Sequence, residues 1–388
     1  MTQSEITVRL AESAAQIGVQ SWNGCANPTN ASNPHPFCRY EFFDAVEASG
    51  SASLRTGWRP VHLVVAEGQR VDGILPMYLK NHSQGEYVFD HSWADALERA
   101  GGDYYPKLQA SVPFTPVTGP RFLIAGRADR ASTFEILLAG GVAAVKELGA
   151  SSLHITFLPE DDWSRAGSHG FLKRQDQQFH WENRNYQNFD QFLGELSSSK
   201  RKNLRKERAA VREAGIEFDW LTGNDITEAH WDSFFEFYMD TGSRKWGRPY
   251  LNRNFFSRIG ASMADQVLLV MARRGSHHIA GALNFFGDGI LFGRNWGSIE
   301  YHPFLHFETC YYQAIDFAIA RGLKKVEAGA QGAHKLLRGY MPTATYSAHY
   351  IAHPGLRRAV ADYLGREREA VSEHIEELAE HGPYKKIG

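Results

Sequence analysis

The segment EAGAQGAHKLLRGY (327–340) concentrates side chains that suit proton transfer and anion binding. An imidazole, two cations and a phenol fall within seven residues: His334, Lys335, Arg338 and Tyr340. Gly329 and Gly332 allow a tight backbone turn beside them. A polar, Gly-rich turn after a strand is a frequent place for function. The segment therefore predicts a site, and the alternative is a plain connection between a strand and a helix.

A basic stretch, SSSKRKNLRKERAAVREAG (197–215), is the second group of interest. Four of its arginines are spaced to lie on one helix face: Arg201, Arg205, Arg208 and Arg212. Guanidinium groups in one stripe repel each other unless an anion lies across them, and arginine binds phosphate through a bidentate fork. The spacing predicts a docking surface for a phosphate-bearing substrate, formed by Arg201, Arg205 and Arg208. The alternative is a solvated helix face.

Residues 82–122 form an unusual third segment that mixes charged and aromatic side chains. Tyr104, Tyr105 and Lys107 lie in it, and the Pro-rich part PFTPVTGP (113–120) is unsuited to regular structure. Long irregular loops between core elements are often binding loops. We therefore assign Tyr104, Tyr105 and Lys107 to substrate binding, against the alternative of an ordered structural insertion.

Several standard catalytic motifs are absent from the sequence. It has no phosphate-binding P-loop, no dinucleotide-binding glycine motif, no nucleophile elbow and no zinc-protease motif. His302 and His306 are four residues apart with Glu308 nearby, a spacing that a helical metal site uses. Pro303 between them indicates instead that a helix begins there, so we predict no metal site.

Composition and charge define the class of protein. The chain has 388 residues, of which 13% are aromatic, and 42 basic side chains nearly balance 44 acidic ones. A disordered chain or a globally basic nucleic-acid binder is thereby disfavoured. The three cysteines are far apart, and no signal sequence or apolar stretch of membrane-spanning length occurs. We expect a cytoplasmic protein of unknown oligomeric state.

A weak internal repeat organises the chain. Residues 61–80 and 266–287 each read as a strand, a Gly-containing turn and a second strand, which is the pattern of a hairpin. Residues 134–158 and 307–330 each read as a helix stopped by glycine and followed by a strand. The first copy is longer because of the insertion at 82–122.

This order predicts an α/β (α+β) fold with two similar domains, residues 1–183 and 184–388. The insertion at 82–122 belongs to the first domain, and the basic helix begins the second. A doubly wound nucleotide fold is disfavoured because each helix follows a hairpin rather than each single strand.

The chain resembles the Fem-type and leucyl/phenylalanyl-transferase-like proteins. It is most similar to their bacterial branch of predicted N-acyltransferases, also called peptidoglycan biosynthesis/recognition proteins. The resemblance covers nearly the whole chain and is carried by these strings: HPF (35–37), GW (57–58), YLKNHSQGEYVFDHSWADA (78–96), YYPKLQ (104–109), PFTPVTGPR (113–121), SSKRKNLRKER (198–208) and EAGAQGAHKLLRGYMP (327–342).

The resemblance implies tandem GNAT-like domains in a Fem-like twin arrangement, and transfer of an acyl or aminoacyl group to an amine. Such domains carry a pyrophosphate-binding loop for coenzyme A before the helix of each copy, and SIEYHPFLHFE (298–308) lacks it. We therefore expect acyl-CoA or aminoacyl-tRNA as the donor, with the second favoured, or else a degenerate site, and we expect no tightly bound cofactor. The expected acceptor is a small or nucleotide-linked amine, with tRNA as a further expected partner.

Amine attack on an ester or thioester needs a proton acceptor and donors for the developing oxyanion. The residues assigned to catalysis are His306, Glu308, His334 and Lys335. Binding of the acyl donor is assigned to Gly329, Gln331 and Gly332. Arg338 and Tyr340 join the substrate-binding residues. Two alternatives stay open: a non-catalytic protein that recognises a cell-wall or nucleotide-linked ligand, and an RNA-docking protein that uses the basic helix.

Overall fold

The computed structural model describes residues 5–245, 249–330 and 332–385. The chain forms two compact units, each of which is described separately below. The first unit contains the chain up to Asp176 together with Thr345–Val371, and the second contains Gln177–Ala344 together with Ser372–Gly388.

The described part of the first unit contains eight complete strands: β1 (Ile6–Ala11), β2 (Trp58–Pro60), β3 (His62–Glu67), β4 (Arg70–Leu75), β5 (Tyr78–Lys80), β6 (Lys107–Ala110), β7 (Leu123–Ile124) and β8 (Ser152–Leu158). Its helices are α1 (Ala14–Ile17), α2 (Val19–Ala26), α3 (Tyr40–Ala48), α4 (His91–Arg99), α5 (Arg130–Glu147) and α6 (Glu160–Ser168).

The remaining strands are β9 (Leu172–Glu182), β10 (Ile216–Leu221), β11 (Val267–Arg274), β12 (His277–Gly287), β13 (Ile290–Ser298), β14 (Lys325–Glu327) and β15 (Met341–Ile351). The remaining helices are α7 (Phe189–Glu195), α8 (Ser198–Glu213), α9 (Glu228–Lys245), α10 (Arg253–Met263), α11 (Leu305–Phe307), α12 (Gln313–Ala320) and α13 (Pro354–Glu380). A π-helical turn, Glu308–Tyr312, separates α11 from α12, and a 3-10 helix spans Ala333–Arg338.

Two sheets form the first unit. One has the antiparallel order β1-β3-β4-β7. In the other, the C-terminal part of β15 pairs with β8, and β6, β5 and β2 follow. Strands β6 and β8 are parallel, whereas the other neighbours in these sheets are antiparallel. The main core lies where α5 packs on the sheets, around Phe134, Leu137 and Leu153.

The second unit has one sheet with the order β10-β11-β12-β13-β14-β9. Strands β13 and β14 are parallel, and their neighbours are antiparallel. Alternate side chains of β9 and β14 enter a core with α12, α7 and α8, which includes Trp181, Val326 and Ile315. The side chains between them lie on the opposite face, which positions the polar residues described below.

The predicted repeat of elements is present. Residues 61–80 contain the hairpin β3–β4, and residues 266–287 contain the hairpin β11–β12. Both predicted helix stops are glycines with left-handed backbone, with φ of 63° at Gly149 and 61° at Gly322. Here glycine avoids the steric penalty that a Cβ would incur. The Pro-rich part 113–120 contains no regular helix or strand, as predicted.

Among the described residues, no helix combines the length and the apolar character that crossing a membrane requires.

Candidate functional site

The second unit contains an opening between its two parallel strands. β13 and β14 share three residue pairs, from Ile290 with Lys325 to Phe292 with Glu327, and β13 then continues to Ser298. Beyond Glu327 the chain bonds to β9 instead: the Ala328 amide donates to the Phe179 carbonyl. Past Glu327, β13 and β14 no longer pair with each other, which leaves a gap between the two strands at this point.

Lys335 lies at this opening. Its ammonium donates to the carbonyl oxygens of Ala328 (2.6 Å) and Gly329 (3.1 Å), which directly follow β14. Burial lowers the pKa of Lys335 from its ordinary value to about 8. An ammonium has three donors, so one N–H remains for a ligand after these two bonds. Gly329 itself has a φ of 76°, which suits glycine.

A group of buried polar residues lies on the sheet beside Lys335. Glu327 is 1% exposed, and its carboxylate is 3.0 Å from the Lys325 ammonium, 3.6 Å from Arg294 and 3.9 Å from His180. Burial alone would raise the pKa of Glu327, but the neighbouring His180, Lys325 and Arg294 hold it below its ordinary value. Burial lowers the pKa of His180 to about 4, so this imidazole is neutral at pH 7.

Three members of this group, His180, Arg294 and Glu327, were not found by sequence reasoning. They lie on β9, β13 and β14, which are far apart in the chain, and their clustering depends on strand order and register. The register pairs Glu327 with His180 across the antiparallel ladder. Charge inside an apolar run is a signal only for Arg294 in β13 (ILFGRNWGS), because β9 (LKRQDQQFHWE) and β14 (KVE) are themselves largely polar.

His334 belongs to a half-buried aromatic cluster. Its Nε2 lies 3.1 Å from the hydroxyl of Tyr311, and its ring is near those of Phe307 and His306. The His306 ring packs against Trp296. Tyr311 is part of the π-helical turn, a distortion that is frequent at functional sites. Of the residues assigned to catalysis, His306 and His334 are therefore neighbours.

Arg338 and Tyr340 anchor the segment that carries Lys335. Arg338 donates to the Glu207 carboxylate on α8 (2.8 Å) and to the His334 carbonyl (2.7 Å), and it stacks on the Phe307 ring. The Tyr340 hydroxyl donates to the Tyr311 carbonyl (3.1 Å) and is fully buried. Both side chains are held by groups of the same unit, and their substrate-binding role stays a prediction.

Glu308 is held by an ion pair with the basic helix. The Arg208 guanidinium bonds both Glu308 oxygens (2.9 and 3.2 Å) and also Asp316 (2.7 Å). Gln313 donates to the same Glu308 carboxylate (2.8 Å). Burial raises the pKa of Glu308, although Arg208 opposes this effect. The charge of Arg208 is therefore balanced within the chain, in contrast to the expectation that an external anion is needed along the whole stripe.

The other arginines of the predicted stripe lie closer to solvent. Arg205 and Arg212 are exposed, and Arg201 is partly exposed. Arg205 contacts the exposed carboxylate of Asp190 at 3.1 Å, and such an ion pair contributes little to stability. These three side chains remain accessible, and their docking role stays a prediction.

Tyr104, Tyr105 and Lys107 lie in the first unit and belong to a different cluster. Lys107 is completely buried, and its ammonium donates to Ser83 (2.7 Å), Glu86 (2.8 Å) and Asp90 (2.5 Å). Tyr104, also buried, donates to Asp90 at 2.6 Å. Tyr105 is half-buried, with its hydroxyl 2.8 Å from Ser83. The polar groups of Tyr104 and Lys107 thus have their hydrogen-bond partners within the first unit.

Two further predictions concern glycine and metal. Gly332 has a φ of 99°, and a Cβ there would be 2.2 Å from the His334 ring, so only glycine fits beside that imidazole. Gln331 lies outside the described residues. Within residues 5–245, 249–330 and 332–385, no three His, Cys, Asp or Glu side chains are grouped closely enough to hold a metal ion.

Comparison with known proteins places this geometry in context. The model of the FemAB-like family, described as peptidoglycan biosynthesis/recognition, matches residues 13–386. None of the curated proteins matches the sequence.

The solved structures with similar folds include the following three. A crystal structure of FemX is 13% identical, covers 92% of this chain and 100% of its own, and has a TM-score of 0.56. The C-terminal domain of a putative lysylphosphatidylglycerol synthetase from Agrobacterium fabrum is 10% identical, with 92% and 98% coverage and a TM-score of 0.55. L-PGS from Bacillus licheniformis is 9% identical, with 87% and 99% coverage and a TM-score of 0.52.

These likenesses concern the fold, since the identities are low. They confirm the predicted fold class, an α/β chain with tandem GNAT-like domains in a Fem-like arrangement. They also confirm the resemblance on which the sequence reasoning drew.

Proposed function

The chain belongs to the FemAB-like family, and we propose that it transfers an acyl or aminoacyl group from an activated donor to an amine acceptor. The observation that carries this proposal is the opening between β13 and β14, where a buried lysine with a pKa near 8 has one N–H to spare. A cation at this point suits the negative charge that develops on a carbonyl oxygen during acyl transfer.

In the proposed reaction the nitrogen of the acceptor attacks the carbonyl carbon of the donor. The carbonyl oxygen becomes an oxyanion and accepts a hydrogen bond from the Lys335 ammonium. His334 takes the proton that the attacking amine loses on a ring nitrogen of its imidazole, whose Nε2 lies beside the Tyr311 hydroxyl. The carbon–oxygen or carbon–sulfur bond of the donor then breaks, and the leaving group takes a proton from His334.

The other residues assigned to catalysis have supporting roles in this proposal. Glu308 is bonded to Arg208 and Gln313, so we propose that it positions the π-helical turn rather than accepts the proton. His306 lies against Trp296 and His334, where it supports the orientation of the His334 ring. Gly329 and Gly332 shape the donor side of the opening.

For the donor we propose an aminoacyl ester of RNA. The basic surface formed by the accessible Arg201, Arg205 and Arg212 suits phosphates, and the coenzyme A loop is missing before α12. Two structural neighbours are named lysylphosphatidylglycerol synthetase or L-PGS, which supports an aminoacyl rather than a simple acyl group. The family description favours an amine of a peptidoglycan precursor as the acceptor.

The test offers both donor classes to the purified protein. Transfer RNA charged with radiolabelled amino acids, or labelled acetyl-CoA, is mixed with a nucleotide-linked muropeptide that has a free side-chain amine. Product is measured as label and mass gained by the acceptor. We expect transfer from aminoacyl-tRNA and a fall in kcat of about 10²–10³-fold for Lys335→Ala, the usual effect of losing one oxyanion donor.

The exposed neighbour Lys324 supplies the matched control. Lys324→Ala is expected to keep wild-type turnover, and Lys335→Arg to recover part of the loss because it keeps a cation. Wild-type turnover in Lys335→Ala would refute the assigned site. Ligand binding by the folded wild type without turnover of either donor would instead support the alternative, a protein that recognises a cell-wall or nucleotide-linked ligand.

A further inference from the structure

Within the residues that the structure describes, each unit contains one pair of parallel strands, and these separate after three residue pairs. In the first unit the pairs run from Leu108 with Leu153 to Ala110 with Ile155. In the second they run from Ile290 with Lys325 to Phe292 with Glu327. When the last pair of each set is aligned, the two residues that follow Ile155 in the first unit correspond to the two residues that follow Glu327 in the second.

The backbone beyond these pairs supports the alignment. Phe157 lies two residues after Ile155 and has a φ of 58°, and Gly329 lies two residues after Glu327 and has a φ of 76°. Left-handed backbone is uncommon, above all for a large side chain such as phenylalanine. Its occurrence at equivalent positions indicates that both units build the same opening.

A cation contacts the equivalent carbonyl in both units. Arg121 donates through Nε to the Thr156 carbonyl (3.0 Å), and Lys335 donates to the Ala328 carbonyl (2.6 Å). Thr156 and Ala328 each lie one residue past the last pair. Arg121 is therefore the counterpart of Lys335 in the first unit.

The chain itself fills the opening of the first unit. The Gly119 amide donates to the Phe157 carbonyl at 3.1 Å. The Arg121 guanidinium, 2% exposed, also donates to the carbonyls of Val117, Gly119 and Pro120. Its two terminal nitrogens thus donate to the backbone of its own segment, and its Nε donates to β8.

The other side of this segment is equally constrained. The His35 Nε2 lies 3.1 Å from the Thr118 carbonyl, and a Cβ on Gly119 would be 2.7 Å from the same nitrogen. Residues 117–121 are therefore packed between His35 and β8, which leaves no space for a ligand at Gly119.

We infer that each chain has a single acyl-transfer site, in the second unit, and that the equivalent opening of the first unit is a structural copy closed by residues 117–121, with Arg121 where the second unit has Lys335. The nature of the reaction rests on the proposed function. The asymmetry between the two openings rests on the hydrogen bonds and backbone geometry above.

The first test uses the residual activity of Lys335→Ala in the transfer assay. With one site per chain, the variant loses nearly all turnover, whereas two working sites would leave about half. Arg121→Lys keeps the charge but cannot form the guanidinium fork. Because the first opening takes no part in transfer under this inference, the turnover of the variant per folded molecule is expected to equal that of the wild type. Residual turnover near half in Lys335→Ala, or a comparable loss in Arg121→Lys, overturns the inference.

A second test does not depend on transfer. Hydrogen–deuterium exchange followed by mass spectrometry is expected to show slow exchange for peptides covering residues 117–121 in the wild type. Exchange at least 10-fold faster is expected in Arg121→Lys below its melting temperature. If the wild type transfers nothing from either donor, the proposed function fails and this measurement decides alone. Fast exchange of 117–121 in the wild type would show that the first opening is not closed.

Discussion

Replacing Lys107 with methionine tests the buried charge cluster of the first unit. Lys107 compensates Glu86 and Asp90, which are 3% and 2% exposed, and Lys80 also contacts Glu86. Methionine fills a similar volume without charge, so the variant leaves one carboxylate of the cluster without a counter-ion. Breaking a buried ion pair from one side costs about 3–5 kcal/mol.

That loss is large enough to measure by thermal unfolding. For domains of this size, 1 kcal/mol corresponds to about 2–4 °C in Tm. Lys107→Met should therefore lower the Tm by roughly 6–20 °C at pH 7, followed by circular dichroism at 222 nm. Lys146→Met, at an exposed position on α5 of the same unit, should change stability by no more than about 0.5 kcal/mol.

The pH dependence distinguishes lost charge from lost packing. Burial alone would raise the pKa of Asp90, but Lys107 holds it below its ordinary value in the folded wild type. This stability is present above the unfolded-state pKa and is lost as pH falls through the folded-state value. Without Lys107 the folded-state pKa rises, so the variant binds protons more readily and the Tm difference should shrink from pH 7 to pH 4.

Asp90→Asn in the Lys107→Met background provides the matching rescue, because it removes the uncompensated charge. It should recover part of the lost Tm at pH 7. A Tm within 1 °C of the wild type for Lys107→Met, or a deficit that stays constant between pH 7 and pH 4, would refute the electrostatic reasoning.

Two further predictions concern the second unit. Arg208→Ala should lower the free energy of unfolding in urea by about 2 kcal/mol, because Glu308 and Asp316 lose their charged donor, whereas Arg201→Ala on the same helix should stay within about 0.5 kcal/mol. The rate of transfer should decline as pH rises above about 8, where Lys335 loses its proton. Lys335→Arg should move this decline to higher pH. An unchanged pH profile would count against Lys335 as the oxyanion donor.

Local signals explain what the sequence could predict. The hairpins at 61–80 and 266–287 follow from short-range alternation around a turn, and Gly149 and Gly322 end their helices through their own backbone freedom. These features depend on neighbouring residues, so no knowledge of the three-dimensional fold is needed to read them.

Contacts over long sequence distances explain what it could not. The helical spacing of Arg201, Arg205 and Arg208 is real, but Glu308 lies 100 residues from Arg208 and neutralises only that member of the stripe. Likewise, nothing in the chain indicated that Thr345–Val371 packs with the first unit. Periodicity identifies which side chains share a face, and it does not identify what that face meets.

The two openings show how one backbone arrangement is used in two ways. A guanidinium has a rigid fork of five donors, and Arg121 directs its donors at carbonyls of β8 and of a segment that is itself packed in place. An ammonium is compact and has three donors, and Lys335 spends two on the carbonyls that follow β14. At equivalent backbone positions, arginine thus closes the opening, whereas lysine keeps one N–H donor for a ligand. Because burial also lowers the pKa of lysine and leaves arginine charged, the choice of cation separates a structural opening from one fit for chemistry.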